Sequence, residues 1–447
     1  MFTVGEILKI TGGSLLFGEL PSQKFTISTD TRKISAENIY LPIIGEKFDG
    51  HNFIQNALDC GCFGYITNSQ QKIINNNAKF AIEVEDTLIA YLQIANYYRQ
   101  AINPKVIAIT GSSGKTTVKE MMSSVIETQF NLHKSQLNFN NEIGLCQTLL
   151  SMPANTEIAV VEMGMRGLGE IELLSKYAQP DISIITNVGT AHLGRLGSVE
   201  NIAKAKCEVA FALKEEGLFI APNDGLIKQA NTFEGRVDYV DFSQVSSVEI
   251  KQDSSKFVYK TEEFELSITG MYNIENACLV IDAAIDAGVS IENIKKGLKN
   301  FSPIGNRWNI TQIENNIKII NDSYNANPNS MMAAIKAFDD AFTDGAKILV
   351  LGDMGELGDD AIFYHSQVAE FINNQKINAD LIVTVGDISQ NISHDVKLLK
   401  KFETKSFMNN IDAVQYLKKR VKPNSVVFLK ASRSMKFEEI EEGLKAE

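Results

Sequence analysis

Residues 106–117 read Val-Ile-Ala-Ile-Thr-Gly-Ser-Ser-Gly-Lys-Thr-Thr, an apolar strand that runs into a glycine loop and then into Lys-Thr-Thr opening a helix. A strand end, a loop of phosphate size and a helix N-terminus are thereby forced together, the arrangement of a nucleoside-triphosphate cradle. Gly111 and Gly114, with Ser112 and Ser113 between them, let backbone N–H groups approach phosphate oxygens. Lys115 can reach the terminal phosphates, the Thr116 hydroxyl can ligate Mg2+, and Thr117 closes the motif. The full GxxxxGK[ST] pattern requires glycine at 109, where Ile stands, so the loop is a variant with shorter glycine spacing. An ordinary helix-opening turn is the alternative for the tripeptide alone; the apolar strand before it and the helical Val118–Met122 after it argue for the cradle.

A chain of 447 residues exceeds one core and suits two to four domains. Its net charge of -12 argues against a nucleic-acid backbone as main partner, because no basic excess exists to displace counterions. Phosphorylated ligands must therefore be held by local devices. Residues 1–9 show no basic stretch leading into an unbroken apolar run, and no run reaches membrane-spanning length, so a cytoplasmic protein without membrane insertion is expected. Five cysteines form no CxxC pair and suggest neither a disulfide framework nor a zinc site.

Three stretches alternate short apolar strands with helical patterns, the signature of parallel sheets covered by helices. The first holds strands at 39–43, 63–67 and 80–84 and a helix at 87–100, ending at Pro104. The second starts at the phosphate loop, continues through strands at 158–161, 182–186 and 218–221, and runs to about Gly305. The third carries strands at 348–351, 381–385 and 426–429. The expected fold is α/β with three domains: a smaller N-terminal α/β domain over 1–103, a central P-loop-type ATPase domain with a mostly parallel sheet over 104–308, and a Rossmann-like C-terminal domain over 309–447. Ligands in such sheets bind outside the carboxyl ends of strands, so residues just after these runs are the candidates for chemistry.

Glu162 follows the strand 158–161 and is a candidate Mg2+ ligand with Thr116; a solvated strand-end carboxylate is the alternative. His192 sits in a similar position after the strand 182–186, where a lone loop histidine is more often structural. Lys206 is more telling. Val199, Ile202, Val209, Ala210 and Leu213 recur at helical spacing, and Lys206 falls on the same apolar stripe. An ammonium there must be paired, neutral or modified, and a neutral amine can take up CO2 to give a carbamate whose two oxygens could bind a metal. The alternative is a lysine snorkelling from a partly exposed helix.

In their order, Thr110–Thr117, Glu162-Met163-Gly164, Asn187–Gly194 and Ala203–Lys206 resemble the ATP-dependent Mur ligases of peptidoglycan synthesis. Asp322–Pro328 (Asp-Ser-Tyr-Asn-Ala-Asn-Pro) and Leu351–Gly358 (Leu-Gly-Asp-Met-Gly-Glu-Leu-Gly) resemble the members that join D-Ala-D-Ala to UDP-MurNAc-tripeptide. The resemblance implies ATP, two Mg2+ ions and a carbamylated Lys206. One ion would lie at Thr116 and Glu162, the other at His192 and Lys206, with Lys115, Lys206 and His192 as the catalytic set. Asn273 and Asn276 would face the nucleotide, and Arg307 and Asp322 would reach it from the domain junction. Ser28, Asp30 and Arg32, with Phe48 and Asp49 of the Gly45–Gly50 segment, match the region that holds the UDP part. Asn138 and Asn141, within 134–145, would lie between ATP and the acceptor peptide, and Tyr324, Asn325, Asn327, Lys430, Ser432 and Arg433 fall on the dipeptide side. The chain departs from many members at Tyr272, where they have His, and at Ala431, where they have Gly.

The chemistry implied is phosphorylation of a carboxylate, because oxide is too poor a leaving group for direct acyl transfer. An amine then displaces phosphate from the acyl phosphate. His365 is a candidate for the base that takes the amine proton. The resemblance also implies a role in cell-wall synthesis, and with it in cell shape and division, and a monomer is expected. Two rivals differ in class or substrate: a sister ligase adding one amino acid or a folate glutamate, and a silent nucleotide-binding regulator, which would be free to lose Glu162, His192 or Lys206.

Overall fold

The computed structural model describes residues 1–46, 48–68, 77–136, 138–398 and 402–446. Within them the chain forms two compact bodies, Met1–Pro104 with Ser135–Thr156, and Lys105–Lys134 with Glu157–Glu447. The central stretch expected at 104–308 is thus interrupted, since 135–156 folds with the first body. Its helix, Glu142–Leu150, buries Leu145, Cys146 and Leu149, and Cys146 lies against Tyr91 of the helix Thr87–Ile102. The Tyr98 hydroxyl adds a 3.0 Å bond to Met152 O. Apolar contact between two amphipathic helices places this segment, which strand alternation does not signal.

The first body is built on five strands, β1 (Ser14–Gly18), β2 (Thr26–Ser28), β3 (Asn38–Tyr40), β4 (Gly64–Asn68) and β5 (Phe80–Val84), in the order β1-β5-β4-β3-β2. All neighbours are parallel except β1 on β5. The helix after β5 is capped by Asp86, which accepts Ile89 N–H at 2.9 Å, and ends at Asn103 in the left-handed region (φ 55°) just before Pro104.

The second body holds a six-stranded parallel sheet of β6 (Lys105–Thr110), β7 (Leu132–Lys134), β8 (Ile158–Glu162), β9 (Ile182–Ile185), β10 (Leu218–Pro222) and β11 (Arg236–Val240), in the order β11-β10-β9-β6-β8-β7. The chain leaves β6 toward β7 and β8 on one side and then crosses to β9 on the other. Its carboxyl end is therefore the topological switch point, where a crevice opens. Registers Ile109↔Glu162 and Thr110↔Ile185 bring the ends of β8 and β9 up on either side of the phosphate loop. An antiparallel ribbon follows, β12 (Ser246–Ile250), β13 (Ser255–Tyr259) and β14 (Glu262–Leu266).

The last sheet has β15 (Asn309–Ile313), β16 (Ile317–Asn321), β17 (Lys347–Gly352), β18 (Leu381–Val385), β19 (Glu403–Phe407) and β20 (Val426–Lys430), in the order β15-β16-β20-β17-β18-β19, parallel apart from β15 on β16. Its core is continuous with that of the phosphate-binding sheet, from Ile107 and Met121 through Trp308 and Phe338 to Phe428. The expected α/β class with mostly parallel sheets is what the chain adopts.

Close packing behind the phosphate loop gives a direct test. Gly297, in the helix Ile291–Asn300, lies so near the helix Lys115–Ile126 that a Cβ would sit 2.4 Å from Val125 Cα and 2.8 Å from Ser124 O. Backbone cannot yield as a side chain does, so Gly297→Ala is expected to destabilise the fold by about 1–3 kcal/mol, read as a lower urea midpoint. An unchanged midpoint contradicts this packing.

Candidate active site

The phosphate loop takes its shape from glycines and from the segment that follows β9. Gly111 has φ 150°, and a Cβ there would lie 1.9 Å from Thr186 Oγ1; Gly114 has φ 78° and abuts the Asn276 side chain. Ser112 N–H donates to Asn187 O (3.1 Å), Ser113 N–H to Asn187 Oδ1 (3.0 Å), Asn187 Nδ2 to Ser113 O (3.1 Å), and Gly189 N–H to Ser112 Oγ (2.9 Å). Thr186 Oγ1 adds a bond to Ser113 O at 2.5 Å. The loop is thereby preorganised for an anion at the N-terminus of the helix Lys115–Ile126.

Charged groups crowd behind it. Lys115 Nζ donates to Gly111 O at 2.7 Å, and burial pulls its pKa below the ordinary lysine value against the attraction of Glu162. Thr116 Oγ1 donates to Glu162 Oε2 at 2.9 Å and accepts from Arg307 at 3.1 Å. The Arg307 guanidinium lies 3.6 Å above the Tyr324 ring. The sequence-expected residues Lys115, Thr116, Glu162 and Arg307 are thus brought together.

Lys119 completes the group, and sequence reasoning missed it. It is fully buried, 3.2 Å from Glu120 and 3.8 Å from Glu162, while Lys134 meets Glu120 at 2.7 Å. Its signal lay in helical spacing, since positions 116 and 119 share one face.

Lys206 is fully buried in the helix Val199–Cys207, and its Nζ has no hydrogen-bond partner among the described residues. Desolvation first, and the positive charge of Lys115 second, push its pKa well below the ordinary lysine value. Burial thus disfavours the charged form of this amine. His192 has φ 66° and starts the short helix Leu193–Leu196. Its buried Nδ1 lies 2.6 Å from Glu356 Oε2, outside hydrogen-bond alignment, and has no hydrogen-bond partner among the described residues.

Carboxyl ends of β16, β20 and β17 meet on the C-terminal side. Asp322 accepts Trp308 N–H at 3.2 Å and Lys430 Nζ at 2.6 Å, and Lys430 also reaches Asp322 O and Asn325 O. Lys430, nearly buried, therefore acts as a strut under the 322–325 loop. Asn325 is exposed. Asn327 caps the helix Pro328–Ala341 through Ser330 N–H at 2.9 Å, Ser432 Oγ donates to Asp353 O at 2.7 Å, and Arg433 pairs with Glu438 at the surface. Asn273 donates to Thr269 O at 2.7 Å, while its buried Oδ1 has no partner among the described residues.

In the first body, Asp30 grips Arg32 with both oxygens (2.8 and 2.9 Å), which holds its carboxyl at about 2. Ser28 Oγ accepts Asp30 N–H at 3.3 Å, and Phe48 is exposed. Asp49 meets His51 Nδ1 at 2.7 Å; His51, buried and with no partner for Nε2 among the described residues, is a further residue the sequence reading passed over. Lys47 of the 45–50 segment and Leu137 of the 134–145 segment lie outside the described residues. Asn138 is exposed, and Asn141 caps its helix by accepting Gly144 N–H at 2.9 Å.

A phosphate loop at a switch point, with a Thr–Glu pair beside it, has the geometry of a nucleotide-binding site. Residues 109–284 match the Mur ligase middle domain and 306–433 match the Mur ligase glutamate ligase domain. The chain belongs to the Mur ligase family. It is 39% identical over 423 residues to the UDP-N-acetylmuramoyl-tripeptide–D-alanyl-D-alanine ligase of Bacillus subtilis, covering 93% of this chain and 92% of the relative. Against the enzyme of that name from Haemophilus influenzae it is 33% identical, covering 96% and 95%. The crystal structure of MurF from Acinetobacter baumannii superposes with a TM-score of 0.91 at 30% identity, covering 99% and 98% of the two chains.

His365, expected as a possible base, is used otherwise. It is fully buried, its Nε2 accepts Met354 N–H at 3.0 Å, and its Nδ1 meets Ala361 O at 2.7 Å. Both nitrogens are spent on backbone, so the ring pins the start of the 354–361 loop. Burial lowers its pKa from the ordinary 6.5. As pH falls through that value the unfolded chain takes up a proton that the folded chain refuses, so this contribution to stability is full above it and is lost below. His365→Gln should flatten the fall in urea midpoint between about pH 8 and 5. An identical pH slope in the variant contradicts the assignment.

Proposed function

We propose that the protein joins D-Ala-D-Ala to UDP-N-acetylmuramoyl-tripeptide with ATP, releasing ADP and phosphate, in cytoplasmic peptidoglycan precursor synthesis. Among the described residues no helix is long and apolar enough to cross a membrane. Residues 1–103 would hold the UDP part, 104–308 the ATP and 309–447 the incoming dipeptide, in a monomer. The observation that carries the reading is Lys206, fully buried with no hydrogen-bond partner for its Nζ among the described residues, where burial and the charge of Lys115 disfavour its protonated form.

The residues fit two Mg2+ ions. Among the described residues no three His, Cys, Asp or Glu side chains cluster into a cage, and a Mg2+ bound with substrate phosphates needs only one or two protein ligands. Thr116 and Glu162 would hold one ion; His192 and a carbamate on Lys206 would hold the other. When bound, the ions neutralise charge on the transferred phosphoryl group and on the two anionic reactants. The carbamate forms when the Lys206 lone pair attacks CO2 and the nitrogen gives up a proton, a step open only to a neutral amine.

The backbone of 111–114 and the Lys115 ammonium cradle the triphosphate and stabilise charge gathering on the γ-phosphoryl group. Arg307, anchored on Tyr324, brings a further cation to Thr116. The substrate's terminal carboxylate oxygen bonds to the γ-phosphorus as the bond to ADP breaks. The dipeptide amine then attacks the acyl carbon, the C–O bond to phosphate breaks, and the nitrogen releases a proton. No protein nucleophile is required.

Phosphate release should require ATP, the UDP-tripeptide and D-Ala-D-Ala together; a single amino acid that replaces the dipeptide with equal rate would sink the proposal. Lys206→Ala is expected to abolish turnover while leaving the thermal midpoint close to that of the parent, with partial rescue by added short carboxylates. Undiminished turnover in that variant would remove the carbamate from the mechanism.

A further inference from the structure

The helix Glu438–Lys445 packs on β16 and carries a buried carboxylate, Glu441, into the C-terminal sheet. Both of its oxygens are engaged. Oε1 accepts from Thr311 Oγ1 of β15 at 2.8 Å and from Lys445 Nζ at 2.5 Å, and Oε2 accepts from Asn321 Nδ2 at 2.6 Å. Asn321 ends β16 and is fully buried. A carboxylate can only accept, so Asn321 must turn its amide nitrogen to Glu441 and its oxygen away. That oxygen accepts both Ser323 N–H at 3.1 Å and Ser323 Oγ at 2.6 Å. The next residue, Tyr324, donates its N–H to Asn306 O at 3.0 Å. Its ring holds the Arg307 guanidinium at 3.6 Å, and Arg307 donates to Thr116 Oγ1 at 3.1 Å. An unbroken line of contacts thus runs from the helix Glu438–Lys445 to the helix that follows the phosphate loop.

Fastening the helix to the sheet would need only Thr311 and Lys445. The bond to Asn321 has a further consequence, because without it the amide is free to turn over and present its nitrogen to the Ser323 donors, which it cannot accept. We propose that Glu441 is a positioning residue: it fixes the polarity of the Asn321 amide and, through Ser323 and Tyr324, sets the place of Arg307 at the nucleotide. This rests on the reading of Arg307 as a nucleotide contact. It adds that a helix more than a hundred residues further along the chain is part of the ATP site, acting through a loop and touching no ligand itself.

The test measures ATP binding to the full-length protein by calorimetry, with the thermal midpoint alongside. Glu441→Ala should weaken ATP binding about tenfold, the order expected for losing one hydrogen bond to a charged group. Glu441→Gln should restore the affinity, since its oxygen still accepts from Asn321 while its nitrogen donates to Thr311 Oγ1. Thr311→Val removes a bond to the same carboxylate without touching Asn321, so it should lower the thermal midpoint and leave ATP affinity unchanged. Arg307→Ala should itself weaken ATP, and adding Glu441→Ala to it should cost little more, because residues that act through one another are not additive. Where Glu441→Ala does not fold, Asn321→Ala, which leaves Glu441 its other two partners, is measured in its place. Parent-like affinity in the folded variant, or full additivity with Arg307→Ala, overturns the proposal and leaves the reading of Arg307 standing. An Arg307→Ala chain that binds ATP as the parent does removes that reading, and the proposal with it.

Discussion

Everything at the candidate site depends on how buried charge is balanced at the carboxyl ends of β6, β8 and β9. Glu162, Lys119 and Lys206 are almost wholly removed from water, and an unpaired buried ion is among the most destabilising features a fold can carry. The three are treated differently. Glu162 is neutralised by Lys119 and hydrogen-bonded by Thr116. Lys119 is shared between two carboxylates. Lys206 has no hydrogen-bond partner among the described residues, and burial pushes its pKa well below the ordinary lysine value. A hydrogen-bonded carboxylate, a paired ammonium and an amine whose charged form burial disfavours are thus held by the same fold.

The sheet order makes this possible. Because β6 lies between β8 and β9, one short loop is braced from the Asn187 side and supplied with a carboxylate from the Glu162 side. The second sheet of the same body applies the same geometry again, with Asp322, Lys430 and Asp353 at adjacent strand ends. Arg307 and Glu356 reach from that side to Thr116 and His192. Contacts from both sheets thus converge on one pair of candidate cation sites.

Much of this was legible in the chain. The apolar runs behind β6, β8, β9, β17, β18 and β20 are buried on both faces and read as continuous hydrophobic segments. Lys206 was legible because a charge on an apolar helical stripe violates the pattern. What escaped follows from the same logic. Strands such as β12, Ser-Ser-Val-Glu-Ile, and β19, Glu-Thr-Lys-Ser-Phe, lie at sheet edges and are mostly exposed with no buried residue, so they carry no apolar period. The packing of 135–156 on the helix Thr87–Ile102 depends on tertiary contact between distant segments. His365 looked like a base because a histidine near a glycine-rich loop has the right chemistry; only the backbone partners at both nitrogens reveal its structural use. Lys430 also braces the 322–325 loop and Asn327 also caps a helix, contacts that become visible only in the fold.

The central claim is that the phosphate loop and its buried charges activate a carboxylate by phosphorylation. It is tested most directly by following oxygen. UDP-tripeptide labelled with 18O in its terminal carboxylate, turned over with ATP and D-Ala-D-Ala, should deliver one labelled oxygen per turnover to the released inorganic phosphate. Unlabelled phosphate, with both labelled oxygens kept in peptide and water, would contradict the account.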